Sequence, residues 1–289
     1  MGYGILRIPI VPAVHLIMTL TEAIETRKSI RTYDRHKPLT DIQLSVITEA
    51  ISQANGESGG LFRCAWATTD GDSVFRPATY GTIRDAAGFI PVAFDISSPQ
   101  AALTVGRIIE RLVLQLTSAG IGTCWLGGTF KAASFSSVIK TDDTNKVNIV
   151  IACGNAAEKL RLRDRLTRSL FRCTSRKPFD ELFTDPNGDP ISADSSRRPM
   201  LAAMRLAPSA MNAQPWRVVV DNDKAHVFGI IRNGLNYVDM GIGMEHIAIS
   251  AAENGITICD ISDKAYASLR KNLTYICSIS HKNCSDCAK

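Results

Sequence analysis

The chain has 289 residues, 45% of them hydrophobic and 21% charged, which are ordinary values for a globular protein with a hydrophobic core. Its formal charge of +5 comes from scattered Lys and Arg residues, and a solvated helix face or an anionic cofactor site explains the densest basic stretch, residues 161–168, more simply than nucleic acid does. The scattered charge gives no reason to expect nucleic acid as a partner. No apolar run is long enough to cross a bilayer, so we do not expect a membrane as a partner either.

The first part of the chain alternates between predicted helices and strands. Three helices are predicted, over residues 22–29 with Thr19 or Thr21 as cap, from Leu39 onwards after Pro38, and over about residues 98–118. In the second helix, the apolar residues expected on the buried side are Ile42, Leu44, Val46, Ile47 and Ile51. Strands are predicted over residues 64–69, 90–96 and 146–153, the second of them central in its sheet.

A similar order begins again after a turn-rich stretch, residues 183–191, which is the best candidate for a linker. The predicted elements are a helix over 198–206, a strand over 216–220, a hairpin turn at Asn222 and Asp223, a strand over 225–230, a helix over 243–254 and a last strand over 256–260. An α+β protein built from two related halves fits this order best, and a coincidental echo of ordinary α+β alternation is the alternative.

The cysteines favour an intracellular protein, and we expect a cytoplasmic one. Five of them lie in mostly apolar stretches and are expected to be reduced and buried, namely Cys64, Cys124, Cys153, Cys173 and Cys259. The terminal pair Cys284 and Cys287 is better explained by a frayed end than by a metal or redox site. The first seventeen residues are interpreted as an extension or a loose arm rather than a targeting segment.

Three motifs carry possible chemistry, and each has a structural alternative. Arg27-Lys-Ser29-Ile-Arg31 can present two cations and a hydroxyl to a phosphate, or it can simply end a helix with positive charge. The loop from Pro208 to Trp216 can point the Ser209 hydroxyl and the Asn212 amide at a flat heterocycle, or both side chains can cap the loop itself.

The third motif runs from Ser118 to Gly128 and contains four glycines. Glycines let backbone N–H groups approach a planar ligand closely, and a backbone amide is a good donor to a flavin N5 atom. The alternative is a pair of helix-ending glycines followed by an apolar strand at a sheet edge.

Together these motifs resemble the FMN-dependent nitroreductase and flavin reductase family. Its members open with Arg-Arg-Ser-x-Arg-x-Phe, for which this chain has Arg-Lys-Ser-Ile-Arg-Thr-Tyr from Arg27 onwards, and they carry Pro-Ser-x-x-Asn-x-Gln-Pro-Trp, which Pro208 to Trp216 match at every specified position. They also carry a Gly-Leu-Gly-x-x-Trp segment, which resembles Gly120-Ile-Gly-Thr-Cys-Trp125. The resemblance covers most of residues 19–260, and the Asp239-Met-Gly stretch is similar to a helix start of the family.

The order of the motifs departs from the typical family pattern. Typical members are homodimers in which the Pro-Ser motif closely follows the arginine motif, whereas here residues 55–63 occupy that place without the pattern. The resemblance therefore implies a single-chain branch, a nitroreductase-like α+β fold whose two halves form an intramolecular pseudo-dimer with one FMN site. The predicted boundaries are 1–18 for an N-terminal extension, 19–183 for the first half, 184–273 for the second half and 274–289 for a C-terminal tail.

The resemblance also implies roles for individual residues. Arg27, Ser29 and Arg31 would hold the FMN phosphate and the pyrimidine side of the ring, with Arg176 as a second phosphate cation and Arg172 as a weaker candidate. Leu126, Gly127 and Gly128 would lie along the ring near N5. The residues reaching ribityl and ring would be Pro208, Ser209, Ala210 and Asn212. Asp239 and Glu245 are interpreted as helix-start residues rather than catalytic acids.

The implied reaction oxidises NADH or NADPH and passes hydride through flavin N5 to a small-molecule acceptor, such as a nitroaromatic, a quinone, a free flavin or oxygen. This chemistry needs positioning more than an acid–base side chain, so we assign no catalytic residue, and the sequence offers no zinc or P-loop pattern. A flavin-binding protein for storage or sensing is the alternative, with Tyr80, Gly81 and the Arg76-Pro77 loop as a possible cover. We expect a monomer.

Overall fold

The computed structural model describes residues 17–69, 79–158, 175–221, 224–256, 258–261, 266 and 272–281. These residues belong to two compact units, which are described separately: the first contains residues 17–158, and the second begins at Ser175. The division thus precedes the predicted linker at residues 183–191. Phe183 lies inside the second unit because it pairs in parallel with Val218 of the same sheet.

The helices of the first unit begin at side-chain caps. They are α1 (Leu20–Thr26), α2 (Asp41–Glu57) and α3 (Pro99–Ser118), and a 3-10 turn covers Ala132–Phe135. Thr19 and Thr40 each form a capping box, and Ser98 caps α3 ahead of Pro99. Such caps satisfy N–H groups that have no partner within the helix, which explains why the helices begin at these positions.

The sheet of the first unit is antiparallel and has the order β1-β3-β5-β4. Its strands are β1 (Phe62–Cys64), β2 (Ala67–Thr68), β3 (Gly88–Phe94), β4 (Gly122–Leu126) and β5 (Lys146–Gly154), with β2 also paired to β3. Every residue of β3 is buried, and the strand has neighbours on both sides, so its prediction as a central strand is confirmed. The strand predicted over 64–69 is divided between β1 and β2.

The buried side of α2 differs from its prediction. Val46, Ile47 and Ile51 are buried as expected, but Ile42 is 55% exposed and Leu44 is 37% exposed. Ile42 and Leu44 belong to the first turn of the helix, where the buried residues have not yet begun. The apolar residues of α2 therefore begin one turn before the part of the helix that packs against the rest of the unit.

The second unit contains helices α4 (Phe179–Leu182), α5 (Arg198–Leu206) and α6 (Gly234–Glu253), and a 3-10 turn over Ala210–Asn212. Its strands are β6 (Phe183–Thr184), β7 (Trp216–Asp221), β8 (Lys224–Gly229), β9 (Ile258–Ile261) and β10 (Thr274–His281). Their order in the sheet is β6-β7-β8-β10-β9. Both units combine helices with a mixed or antiparallel sheet, so the predicted α+β class is confirmed.

Helix α6 begins nine residues before the predicted start at Gly243. Asn233 caps it and forms a capping box with Asn236, so the turns that precede Gly243 are also helical. A Cβ atom at Gly243 would lie 3.0 Å from Met204 Cε and 3.3 Å from Trp216 Cε3. Close packing thus favours glycine at this position inside the helix, and Gly243 does not mark the start of the helix.

The C-terminal part of the chain adds a strand where the sequence predicts a tail from residue 274. Strand β10 pairs with β8 on one side and β9 on the other, so β9 is not the last strand. The buried residues Cys277 and Ile279 lie within β10 and give the strand an apolar side. The physical reason for the difference is that β10 becomes a strand by pairing with β8 and β9, and a local sequence pattern does not reveal these partners.

Several predictions fall outside the described residues. They concern the N-terminal arm before residue 17, the Arg76-Pro77 loop, the basic stretch 161–168, Arg172, Cys173, the hairpin turn at 222–223 and the pair Cys284 and Cys287. Cys64, Cys124 and Cys153 are buried, as predicted. Within the part of the chain that the structure describes, no helix is long and apolar enough to cross a membrane.

Candidate functional site

In the first unit, the arginine motif lies beside strand β4 of the glycine motif. Arg27 ends α1 by donating its backbone N–H to Ala23, and the chain then turns to run along the sheet. Ser29 forms a parallel bridge with Thr123, and the N–H of Ile30 donates to the Thr123 carbonyl over 2.8 Å. Two motifs that are almost a hundred residues apart are therefore neighbours within one unit.

Gly122 allows this close approach. A Cβ atom at this position would lie 3.0 Å from Ile30 Cγ1 and 3.1 Å from the Gly154 carbonyl oxygen. The first contact is to the arginine motif and the second is to the neighbouring strand β5, so a side chain would press against both. The second glycine of Gly120-Ile-Gly122 is thus explained by packing against the arginine motif.

The Arg27 side chain points into a buried polar cluster formed with Glu110 of α3 and Trp125 of β4. Its Nε atom lies 3.9 Å from Glu110 Oε1, and the two side chains are 6% and 0% exposed. Trp125 Nε1 donates to the other oxygen, Glu110 Oε2, over 2.8 Å. Glu110 therefore joins the arginine and glycine motifs, a role that its place in the apolar pattern of α3 did not suggest.

Arg31 and Tyr33 continue the arginine motif with different surroundings. Arg31 is half-buried, and its carbonyl accepts the N–H of Arg84 over 2.9 Å. Tyr33 is buried and donates its hydroxyl to the Ala152 carbonyl over 3.0 Å. Burial raises the pKa of Tyr33 well above its usual value, with the Arg31 charge acting in the opposite direction. Tyr33 thus remains a neutral structural anchor beside the half-buried Arg31.

The end of β4 leaves its backbone accessible. Leu126 is buried and pairs with Val150, but Gly127 and Gly128 beyond it are exposed. Gly128 has a φ of +152°, and among the described residues no atom lies within 4 Å of a Cβ built there. Up to Leu126 the structure matches the alternative of a strand at a sheet edge, while the two glycines offer the open backbone that a planar ligand requires.

In the second unit, the Pro208–Trp216 loop is held largely by its own side chains. Ser209 Oγ accepts the N–H of Gln214 over 2.9 Å. The Asn212 amide is engaged at both ends, because Oδ1 accepts from Arg176 Nη1 over 3.2 Å and Nδ2 donates to the Ser175 carbonyl over 2.9 Å. Trp216 is fully buried. These contacts correspond to the self-capped loop that the sequence offers as the structural alternative.

Further bonds fasten this loop to the start of the unit. Arg176 Nη2 donates to the Leu206 carbonyl over 3.0 Å, and the Lys177 N–H donates to Gln214 Oε1 over 2.9 Å. The predicted ligand residues Arg176 and Asn212 are thereby brought together. The guanidinium of Arg176 also has a structural task, since its planar fork spans two acceptors.

The backbone of the loop is strained. Met211 and Asn212 both have φ of +54°, and Gln214 has φ of +48°. Non-glycine residues in the left-handed region cost about 1–2 kcal/mol each, with asparagine among the more tolerant. Met211 is nevertheless 72% exposed, so its own side chain gains little by packing. The conformation therefore depends on bonds that other parts of the unit supply.

Asp239 supplies one such bond from the interior of α6. Asp239 is 4% exposed, and its Oδ1 atom accepts the N–H of Ala210 over 2.9 Å. Burial raises the pKa of Asp239 to about 7, and hydrogen bonds from Ala210 and Asn236 act in the opposite direction. The expectation that Asp239 and Glu245 begin a helix is wrong, because both are buried residues well inside α6.

The described residues contain no group of three or more His, Cys, Asp or Glu side chains arranged for a metal ion. The polar groups that they do offer are arginines, hydroxyls, an amide and exposed backbone. Among the described residues none hydrogen-bonds to Nη1 of Arg27, although this atom is buried. A donor set of this kind suits an anionic, flat, polar cofactor better than a cation.

Comparisons with known proteins agree with the fold. A family model described as "Putative TM nitroreductase" matches residues 19–251. A solved structure of a "putative nitroreductase" from Thermotoga maritima MSB8 is 19% identical, with a TM-score of 0.57 over 93% of this chain and 96% of that one. No curated protein matches the sequence.

Two other solved structures are described as nitroreductases with bound FMN. One is from Bacteroides fragilis NCTC 9343 and the other from Desulfitobacterium hafniense DCB-2, and both are 21% identical with TM-scores of 0.37. They are matched over 50% of this chain and over 91% and 92% of their own lengths. The likeness to the Thermotoga protein extends over nearly the whole of both chains and supports the shared fold.

Proposed function

Because the chain belongs to the "Putative TM nitroreductase" family, we propose that it is an FMN-dependent oxidoreductase that takes electrons from NADH or NADPH. Its acceptor would be a nitroaromatic, a quinone or a free flavin. When bound, FMN supplies a ring that accepts two electrons from a nicotinamide and passes them on. The protein's task is to bind the cofactor, orient it and admit small substrates.

The bridge between Ser29 and Thr123 is the observation that carries the proposal. It joins the arginine motif, which offers cations and a hydroxyl, to the glycine motif, which offers open backbone. A flavin mononucleotide has an anionic phosphate and a flat ring rich in acceptors, so it needs both kinds of group. Within the first unit, Ser29 and Arg31 would bind the anionic and polar edges, and Leu126, Gly127 and Gly128 would lie along the ring.

Arg27 can also bind FMN, but its surroundings make it an unsuitable partner for the phosphate. Glu110 neutralises part of its charge, and the guanidinium is nearly inaccessible to solvent. A buried, oriented N–H of this kind is well suited to a ring carbonyl, whereas Arg31 is the better partner for a phosphate. The two arginines would thus share the cofactor between them.

In the second unit, the proposed FMN ligands are Pro208, Ser209, Ala210, Asn212 and Arg176. The Ser209 oxygen accepts a bond from Gln214, and its hydroxyl hydrogen can still donate to a ligand. Arg176 and Ser175 fix the orientation of the Asn212 amide, so the loop is organised before any ligand arrives. No proton donor is assigned, because the proposed reaction depends on position and on the cofactor rather than on an acid–base side chain.

The first test is the absorption spectrum of the purified protein, with the released flavin quantified. We expect the bands of bound FMN at about one FMN per chain. Arg31→Ala and Asn212→Ala should each weaken FMN binding about tenfold or more, which corresponds to the loss of one charge-assisted or buried hydrogen bond. Arg63→Ala, which removes an exposed arginine of β1, is the matched control and should leave binding unchanged.

Other outcomes would count against the proposal in different ways. A colourless protein that ignores added FMN would contradict it entirely, and two FMN per chain would contradict the single set of ligands. Steady oxidation of NADPH in the presence of a nitro compound is expected. Bound FMN without such turnover would favour a storage or sensing protein over an enzyme.

A further inference from the structure

Asp239 is a buried acid that the proposed function does not use. It lies in the second turn of α6, beyond the turn that begins the helix, and only 4% of its surface is exposed. Its Oδ1 atom accepts the backbone N–H of Ala210 over 2.9 Å. Burial of a carboxyl group is costly, so its presence here needs a compensating role.

The Ala210 amide has a specific need for this acceptor. Ala210 begins the 3-10 turn Ala210–Asn212, and the first N–H groups of a helical turn have no acceptor within the turn. The residue before it, Ser209, would ordinarily cap the turn through its hydroxyl. Here the Ser209 oxygen accepts from Gln214 instead, and the turn has no cap from that side chain. Asp239 takes the place of the cap from another element.

Because its backbone is strained, the turn depends on hydrogen bonds from other elements of the unit. The left-handed residues Met211, Asn212 and Gln214 follow Ala210 directly. Arg176 holds the far end of the turn at Asn212, and Asp239 holds the near end at Ala210. With both bonds made, the segment that carries Ser209 and Asn212 is fixed at two points.

Helix α6 is a rigid base for the second of these points. Gly243 admits Met204 and Trp216 so closely that a Cβ atom would meet them at 3.0 and 3.3 Å. His246 contacts α5 through Nδ1, which lies 2.9 Å from the Ala203 carbonyl oxygen. A side chain on such a packed helix sets a position more accurately than one on a loop.

From these contacts we propose that Asp239 is a positioning residue that holds the Ala210–Asn212 turn in the conformation that presents Ser209 and Asn212 to the cofactor. This inference rests on the proposed function for the identity of the ligand, but the bond to the turn exists without it. Asp239 itself does not contact the cofactor. It acts by satisfying the Ala210 N–H and by linking the turn to α6.

Two substitutions separate this role from mere filling of space. Asp239→Asn keeps an oxygen acceptor at the same place, whereas Asp239→Leu keeps a similar volume and removes the acceptor. Hydrogen exchange of the amides from Ala210 to Gln214 is measured in the protein without FMN, and the FMN dissociation constant is measured by quenching of flavin fluorescence. Glu245→Gln alters another buried acid of α6 and serves as the control for general destabilisation.

We expect Asp239→Leu to speed exchange of these amides about tenfold or more and to weaken FMN binding by a similar factor. Asp239→Asn should restore both quantities to within about threefold of the unsubstituted protein. Equal effects of Asn and Leu, or unchanged exchange in the Leu variant, would overturn the proposal. If the unsubstituted protein binds no FMN but the exchange results are as expected, the positioning role stands and the proposed function fails.

A second variant keeps the test decisive if Asp239→Leu does not fold. Ala210→Pro removes the same hydrogen bond from the donor side, and proline is well tolerated at the first position of a helical turn. Ser209, the residue before it, already has the extended conformation that a following proline requires, with φ of −148° and ψ of 158°. Faster exchange from Met211 to Gln214 is expected, and unchanged exchange would overturn the proposal.

Discussion

Arg176 donates a hydrogen bond from its guanidinium to the side-chain carbonyl of Asn212, 36 residues further along the chain and 3.2 Å away. The sequence suggests these two residues as separate ligands, one for a phosphate and one for a ring. In the structure they form one polar cluster that also includes the Leu206 and Ser175 carbonyl groups. A change at either residue should therefore affect the other.

Substitution of Arg176 should loosen the Pro208–Trp216 loop. Arg176→Ala removes bonds to both Asn212 and Leu206, and we expect it to lower the free energy of unfolding by about 1–3 kcal/mol in urea titrations. Arg176→Lys should recover only part of this, because an ammonium group cannot span two acceptors as the guanidinium fork does. Lys177→Ala removes an exposed ion pair with Glu181 and is the control, with an expected change below about 1 kcal/mol. Equal losses for Arg176→Ala and Lys177→Ala would contradict the structural role.

The buried pair of Arg27 and Glu110 should be strongly coupled. Glu110→Leu leaves the nearly inaccessible Arg27 charge without its partner, so we expect a loss of about 3–5 kcal/mol in the free energy of unfolding. Arg27→Met combined with Glu110→Leu should be less destabilising than the sum of the single changes by at least about 1 kcal/mol. Additive losses in this double-mutant cycle would show that the two side chains do not interact. The fluorescence of Trp125 should also change when Glu110 is replaced, since its indole N–H loses its acceptor.

Asp239 should make stability depend on pH. Its pKa is raised from 3.8 to about 7 in the folded protein, so the folded state holds a proton that the unfolded state releases. The resulting stabilisation is fully present below the unfolded pKa of 3.8 and is lost as the pH rises through about 7. Relative to Asp239→Asn, the unsubstituted protein should lose on the order of 2–3 kcal/mol between about pH 5 and pH 8. Urea titrations of both proteins measure this, and a difference that stays constant with pH would disprove it.

Gly122 should not tolerate a side chain. Gly122→Ala places a methyl group 3.0 Å from Ile30 Cγ1 and 3.1 Å from the Gly154 carbonyl, so we expect a loss of about 1–3 kcal/mol and weaker FMN binding as the arginine motif moves away. Gly56→Ala is the matched control, because Gly56 lies in α2 with no atom of the described residues within 4 Å of a built Cβ. That change should stabilise the protein by about 0.5–1 kcal/mol, since glycine is unfavourable inside a helix. Comparable losses in thermal unfolding for both variants would argue against the packing explanation.

The sequence alone predicts those elements whose pattern is complete within the element. The amphipathic stretch 98–118 became α3 (Pro99–Ser118), and the apolar stretch 146–153 became β5 (Lys146–Gly154). In both, the period of the apolar residues and the residues that end them point to the same structure. The α+β class follows from the order of such elements.

Elements whose limits depend on a neighbour were predicted less well. The exposed Ile42 continues the apolar pattern of α2 past the surface that covers it, and Gly243 resembles a helix start because its packing partners are invisible in a local pattern. Strand β10 is not predicted for the same reason, since the backbone partners that make this short stretch a strand come from two neighbouring strands.

For the candidate site, the local residue pattern is enough to identify the segments that carry ligand-type chemistry: the arginine motif, the glycine motif and the Pro208–Trp216 loop. The side chains that fix these segments in place can be identified only from the folded structure. Glu110 reaches Arg27 from a different helix, and Asp239 reaches Ala210 from 29 residues away. Motifs record the local backbone conformation and the chemical groups it presents, whereas the partner of a buried charge or amide depends on which elements the packed core brings within hydrogen-bonding distance.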